Sequence, residues 1–301
     1  MQNNAFEIKA VTLKDKELFD RYFSINNGIN SEYTFTNMFM WRKSYNIRYA
    51  VIGGMLCIFS QHTGSAETVN FPLGDGDIAA TVKALIDYFE KTGQRPLIRI
   101  YCEAEMKALT DAFPDTFIFT EDRNSFDYVY KVSDLINLPG GRYHAKRNHI
   151  NRFLALYDYE YNKITEDHLD TCYDMFEHWC DSKEDSVPGI SEQREAVKEL
   201  LENFTPLKVS GGGIFVDGQL AAFSFGEVLN KEKAMAVIHL EHANTDFQGS
   251  FPLINQQFLA GEWSHLEYVN REEDMGLSGL RQAKKSYHPC LMVKKYIASL
   301  K

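Results

Sequence analysis

Apolar residues at Ile78, Val82, Leu85, Ile86 and Phe89 recur with the period of a helix. This spacing predicts a helix over 77–91 with one buried face and Asp77 as its N-cap. Upstream the pattern changes to alternation. "IRYAVIGGMLCIFSQ" reads as a hairpin turning at Gly53-Gly54, and "ETVNFPL" as the short strand after it. "AFEIKAVTL" is expected as a strand, "KDKELFDRYFSI" as a helix, and "SEYTFTNMFMWRKSY" as a second helix capped by Ser31 or Thr34. Tyr33, Phe35, Phe39, Trp41 and Tyr45 are assigned to the core. "PLIRIYC", a helix over 103–113, "FIFTED" and "DYVYKV" complete the first half.

In the second half "YDYEYNKI" reads as a strand, and "EDHLDTCYDMFEHWCDS" and "SEQREAVKELLENF" as helices. "GGIFVDGQLAAFSFGEVL" turns at Asp217-Gly218, and "AMAVIHLEHA" supplies a third strand. Helix 249–263, strand "HLEYVN", helix 278–287 and a final strand "CLMVKKYIASL" follow. The order is β-α-α-β-β-β-α-β-α-β, the layout of GNAT-type acyltransferases, and the first half follows it loosely. The expected fold class is α+β: two tandem GNAT-like (acyl-CoA N-acyltransferase-like) domains with mixed central sheets flanked by helices. They are expected at 1–138 and 158–301, with residues 139–157 as a basic helix bridging them.

Composition narrows the class. With 301 residues, 44% apolar and 25% charged, the chain suits a soluble globular protein. No apolar run approaches the roughly 18 residues of a membrane span, and the N-terminal stretch does not read as a secretory signal. Five scattered cysteines without a C-x-x-C pair argue against a disulfide framework or zinc site and suit the cytoplasm. No metal-spaced cluster, P-loop or Ser-His-Asp pattern is present.

Charge is distributed unevenly. The formal charge is −10, yet residues 142–152 hold four Arg or Lys, and residues 281–295 hold five, with no acid in either window. Subtracting those nine from 32 leaves 23 basic residues against 42 acidic ones. An acidic body with two cationic segments is a poor general nucleic-acid binder. It suits one compact anion, such as a tRNA 3′ end, a CoA phosphate or a lipid head group. A transient membrane contact remains compatible with this pattern.

Placed on a helix starting after Gly140-Gly141, Ile150, Phe153, Leu154 and Tyr157 form an apolar stripe. Arg142, Lys146 and His149 fall along one border of it, with Arg152 further round. Cations at a helix N-terminus oppose the dipole, so the placement favours an anion site. In the second cluster Arg281, Lys284, Lys285 and His288 share one helical face, and four like charges there call for a neutralising partner. "NTDFQGSFPLIN" joins a strand to a helix where backbone amides can meet phosphate, with Gln248 and Gly249 as candidates. "GDGDIAA" matches a dinucleotide fingerprint only formally, because Asp75 and Asp77 would repel a pyrophosphate. For acid–base chemistry His239 and Glu241 alternate along "AMAVIHLEHA", Asn270, Glu272 and Asp274 follow the next strand, and Tyr287 lies beside the cationic stripe.

Three stretches carry a resemblance: "YTFTNMFMWRKSY", "GRYHAKRNHINRFLALY" and "VNREEDMGLSGLRQAKKSYHPCLMVKKY". Together they resemble a family similar to the phosphatidylglycerol lysyltransferase C-terminal domain, over nearly the whole chain. That resemblance implies two GNAT-like halves in tandem, as in Fem-type peptidyltransferases. It implies transfer of an aminoacyl group from aminoacyl-tRNA to an amine or hydroxyl acceptor, such as a phospholipid head group. Arg281, Lys284 and Lys294 match its basic positions, Asn270, Asp274 and Tyr287 its polar ones, and Lys146, Arg147 and Asn148 its bridging motif. The expected catalytic set is Glu241, Asp274 and Tyr287, with no tightly bound cofactor and aminoacyl-tRNA or acyl-CoA as donor. A CoA-dependent N-acyltransferase and a non-catalytic anion- or lipid-binding protein on a degenerate GNAT scaffold are the alternatives.

Overall fold

Residues 6–183 and 189–301 are described by the computed structural model. They form two compact units. The first comprises the chain up to Asp127 together with Glu273–Gly276 and Val293–Lys301, and the second comprises Tyr128–Glu272 and Leu277–Met292. The sequence division at 138 and 158 differs from this partition in two ways. The basic helix expected as a bridge lies wholly inside the second unit, and the last strand belongs to the first.

The first unit is a sheet of β1 (Lys9–Ala10), β2 (Arg48–Ile52), β3 (Met55–Ser60), β4 (Thr68–Asn70), β5 (Leu97–Ile100) and β6 (Phe117–Glu121), completed by the C-terminal strand Tyr296–Leu300. That last strand inserts antiparallel between β5 and β6. The hairpin β2–β3 turns at Gly53 and Gly54, whose φ values of 57° and 82° lie where glycine is favoured. The helices are α1 (Lys16–Asn26), α2 (Phe35–Met40), α3 (Ile78–Lys91) and α4 (Glu103–Ala112). Asp77 caps α3 as expected, accepting from Ala80 N at 3.0 Å. Val82, Leu85 and Phe89 from α3 pack into a core with Phe59, Ile98 and Ala298.

Two expectations there are corrected. α2 is only Phe35–Met40, capped by Thr34, and Ser31–Tyr33 form a separate tight turn. The first strand is confined to Lys9–Ala10, and its expected start at Ala5 lies outside the described residues.

The second unit is built around β7 (Asp127–Lys131), β8 (Tyr159–Lys163), β9 (Ser210–Val216), β10 (Gln219–Asn230), β11 (Met235–Ala243), β12 (Tyr268–Asn270) and β13 (Leu291–Val293), in the order β13-β7-β12-β11-β10-β9-β8. β9 and β10 form the expected hairpin, with Asp217 and Gly218 both left-handed. The helices are α5 (Val132–Asn137), α6 (His144–Leu156), α7 (Leu169–Lys183), α8 (Ile190–Glu202), α9 (Phe204–Leu207), α10 (Ser250–Glu262) and α11 (Ser278–Lys285). α6 buries Ile150 and Phe153, but Leu154 of the expected stripe is 49% exposed. The expected final strand is two: β13 in the second unit and β14 (Tyr296–Leu300) in the first, separated by Lys294 and Lys295. Among the described residues, no helix is long and apolar enough to cross a membrane.

Candidate functional site

β11 and β12 run parallel and pair only over Met235–Val237 and Tyr268–Asn270. β12 then ends while β11 continues to Ala243, so the ladder stops short of Glu241. Arg271, the first residue past β12, reaches Glu241 instead, with Nη2 2.7 Å from Oε1. Asn255, fully buried on α10, donates Nδ2 to the other carboxylate oxygen at 3.0 Å. Among the described residues, Arg271 Nη1 and Asn255 Oδ1 are buried without a hydrogen-bond partner. Arg271 and Asn255 are thus both fixed by the same carboxylate.

β11 is also bulged. Phe225 faces Leu240 while Gly226 faces Ile238, which leaves His239 as the extra residue. The simple alternation of His239 and Glu241 expected from sequence is thus broken. His239 is enclosed, with Nδ1 2.9 Å from Glu272 Oε1 and Nε2 3.0 Å from Glu227 Oε1. Burial alone would lower its pKa, but the hydrogen bonds to Glu227 and Glu272 raise it to about 9.

The two cationic segments meet within this unit at Tyr143, Tyr287 and His288. Tyr143 OH donates to Tyr287 O at 3.0 Å, and His288 packs edge-on to Tyr143 at 5.3 Å. Lys146 Nζ lies 3.9 Å from the centre of the buried Tyr287 ring, and the Arg271 guanidinium lies 4.9 Å from it. Burial pushes the Tyr287 hydroxyl well above its usual range, with partial relief from Arg271, so it stays protonated. Lys146 is half-buried, and its pKa is lowered by desolvation first and by Arg271 second, with Glu241 opposing. Two cations on one aromatic ring with a single carboxylate form a locally positive, partly dry site suited to an anion or oxyanion.

The other predicted residues take different positions. Arg142 pairs with Asp134 at 2.9 Å, and Arg147 donates to Leu138 O and to Gly140 O, closing the end of α5. His149 is exposed, while its carbonyl abuts Gly249. A Cβ on Gly249 would lie 2.2 Å from His149 O, so the glycine admits α6 against the loop. The amides of Asp246, Phe247 and Ser250 in that loop bond to Asn244 Oδ1, Asn244 O and Phe247 O, and Gln248 is exposed. The loop therefore spends much of its donor capacity on its own turn.

Asn270 is buried and accepts from Glu272 N at 2.7 Å. Lys284 reaches Arg271 O, Lys285 is exposed, and Arg281 is half-buried. Asp274 belongs to the first unit, where it is fully buried, pairs with Arg123 at 3.2 Å and accepts from Gly276 N. Lys294 is an exposed partner of Glu121 at 3.0 Å.

Sequence reasoning passed over Arg271, Asn255 and Lys295. Arg271 stands outside both cationic windows, and its signal was its place directly after a strand end. Asn255 was marked only as a polar residue within the apolar run of α10. Lys295 is buried in the first unit between Glu32 at 2.6 Å and Asp127 at 2.7 Å. Burial opposes its charge, and Asp127 and Glu32 together raise its pKa far above normal. A separate cavity of about 370 Å³ lies on α7–α9, lined by Glu166, Tyr173, Lys198, Glu202 and Phe204 among others. Its lining includes none of the predicted residues.

Two mixed sheets flanked by helices, with a strand parting above a charged cluster, define the class as tandem GNAT-like and similar in fold to Fem-type structures. A sequence model for the family described as "Phosphatidylglycerol lysyltransferase, C-terminal" matches residues 25–299, and the chain belongs to that family. A conserved protein of unknown function from Bacteroides thetaiotaomicron is 35% identical, with a TM-score of 0.90 over 98% of this chain and 100% of that one. L-PGS from Bacillus licheniformis is 15% identical, with a TM-score of 0.66 over 97% and 92% of the two chains, a likeness of fold. An uncharacterized protein of Mycoplasmoides gallisepticum is 25% identical over 181 residues, which span 59% of this chain and 57% of that protein.

Proposed function

We propose that the protein is an aminoacyltransferase that moves an aminoacyl group from aminoacyl-tRNA to an amine or hydroxyl acceptor, such as a phospholipid head group. The observation that carries the reading is Lys146: a half-buried ammonium over the Tyr287 ring, beside Arg271, for which no carboxylate partner within 4 Å occurs among the described residues. Family membership supports the reaction class. In this reading the acceptor attacks the ester carbonyl carbon, and the developing oxyanion is met by Arg271 Nη1 and Lys146. The C–O bond to the terminal ribose then breaks. The protonated Tyr287 hydroxyl gives its proton to the leaving oxygen and recovers one from the acceptor. Glu241 and Asn255 hold Arg271 in place.

The CoA-dependent alternative is less well supported, because the Gln248-Gly249 loop is packed on α6 and bonded to itself. The test is incubation with tRNA charged with labelled amino acids and a cell lipid extract. Label is expected to move to an acceptor, and Lys146→Met is expected to slow transfer by about 100-fold. Label remaining on tRNA throughout overturns the reading. Saturable binding of phosphate-bearing ligands without transfer would establish the non-catalytic alternative instead.

A further inference from the structure

The turn that carries Arg271 contains a left-handed residue that is not glycine. Glu272 has φ +55°, a left-handed conformation that non-glycine residues adopt at a cost. It is held there from several sides. Asn270 Oδ1 accepts from its amide at 2.7 Å, and Tyr128 N donates to its carbonyl at 3.2 Å. Its carboxylate takes the Nδ1–H of His239 at 2.9 Å. The other imidazole nitrogen meets Glu227 at 3.0 Å. A neutral ring would turn one lone pair toward a carboxylate, so both nitrogens carry hydrogen and the ring is cationic. The charged groups that face it are Glu227 from β10 and Glu272 beyond β12, and Arg271 precedes Glu272 in the same turn.

We propose that His239 is a positioning residue for transfer: as an imidazolium it pins Glu272 in its left-handed turn and thereby aims Arg271 at Glu241 and the reacting carbonyl. The inference rests on the transferase reading for what Arg271 is aimed at, but the coupling between His239 and Arg271 is a property of the protein alone. Raising the pH through the imidazolium's pKa removes one proton, sets a lone pair against a carboxylate and loosens the side-chain hold on the turn, whose backbone bonds to Asn270 and Tyr128 remain. A bulge residue with no place in the regular ladder is suited to this task, since its side chain is aimed independently of its neighbours.

The test is NMR of the full chain labelled in histidine and arginine, titrated from about pH 7 to about pH 10. The Arg271 Nε–H resonance, identified by its loss in Arg271→Lys, is expected to broaden as His239 titrates near pH 9. Glu227→Gln removes one of the two groups that raise the pKa, so both transitions are expected to move together to lower pH. Arg271 unmoved while His239 titrates overturns the proposal, as does an Arg271 transition that stays put when the His239 transition moves. With labelled charged tRNA, kcat/KM of the parent protein is expected to fall as pH rises through about 9, a fall that Lys146→Arg retains, and His239→Gln is expected to lower kcat/KM by about tenfold at pH 8. The NMR experiment needs no substrate, so its result is separate from any failure of aminoacyl transfer in the tRNA assay.

Discussion

Replacing Lys295 by Met tests whether the buried charges of the first unit are organised as described. Lys295 is 2% exposed and bridges Glu32 at 2.6 Å and Asp127 at 2.7 Å, and Asp127 is fully buried. Asp127 is also fixed by Ser31, whose amide and hydroxyl reach its two oxygens at 2.7 and 3.1 Å. Removing the ammonium leaves two carboxylates close together in a dry site, and Glu32 already has a raised pKa from burial. Breaking a buried pair in this way costs about 3–5 kcal/mol, which lowers the melting temperature by on the order of 10 °C in a chain of this size. The assay is thermal and urea unfolding of Lys295→Met beside Lys294→Met, whose exposed pair with Glu121 contributes little. Lys294→Met is expected to melt with the parent protein. Adding Asp127→Asn to Lys295→Met is expected to recover part of the loss, because one unpaired charge disappears. Equal melting of the two lysine variants would refute the reasoning.

Three further outcomes follow from the second unit. His239 is raised from 6.5 to about 9 in the fold, so its contribution is fully present below pH 6.5 and lost as pH rises through about 9; the shift corresponds to about 3 kcal/mol. Urea titrations of wild type and His239→Gln should therefore converge on the alkaline side. Gly249→Ala would place a Cβ 2.2 Å from His149 O at φ +97°, costing about 1–3 kcal/mol in denaturant melts. Lys146→Met is expected to keep or raise the melting temperature while abolishing the binding of sulfate, measured by calorimetry; a lower melting temperature with binding intact would make the lysine structural.

How far the sequence disclosed this arrangement depends on the range of the interactions involved. α3, the Gly53-Gly54 hairpin and the Asp217-Gly218 turn were legible because periodicity, caps and left-handed glycines act over a few residues. The split of "CLMVKKYIASL" was not, since no proline or glycine interrupts it. Where the chain leaves one sheet for the other, Lys295 meets Glu32, 263 residues away along the sequence. Alternation alone would have set Lys295 with the buried Val293 and turned Lys294 outward, which was the one available sign that the second lysine, not the first, is enclosed. Asp274 was similarly ambiguous: a carboxylate after a strand end reads the same whether it serves chemistry or a turn, and in the fold it accepts from Gly276 N and pairs with Arg123.

The density of charge in "GRYHAKRNHINRF" overstated its role, and the reason is physical. A cation is informative only when its nearest partners leave it unsatisfied, and residue type alone does not report that. Arg142 has Asp134, and Arg147 has the carbonyls of Leu138 and Gly140 just past α5. His149 offers its backbone to the Gly249 loop. Lys146 alone of this set is turned onto Tyr287, a ring whose opposite demand comes from Arg271. One acid, Glu241, answers two bases there and is shared with Asn255. The surplus positive charge is thus concentrated at the place where β11 and β12 part, although the chain as a whole carries −10. On the proposed reading, such a site in an acidic protein would discriminate by geometry: the body would repel a long polyanion, whereas the single end of one, or a compact anionic group, would meet two cations and a protonated phenol together.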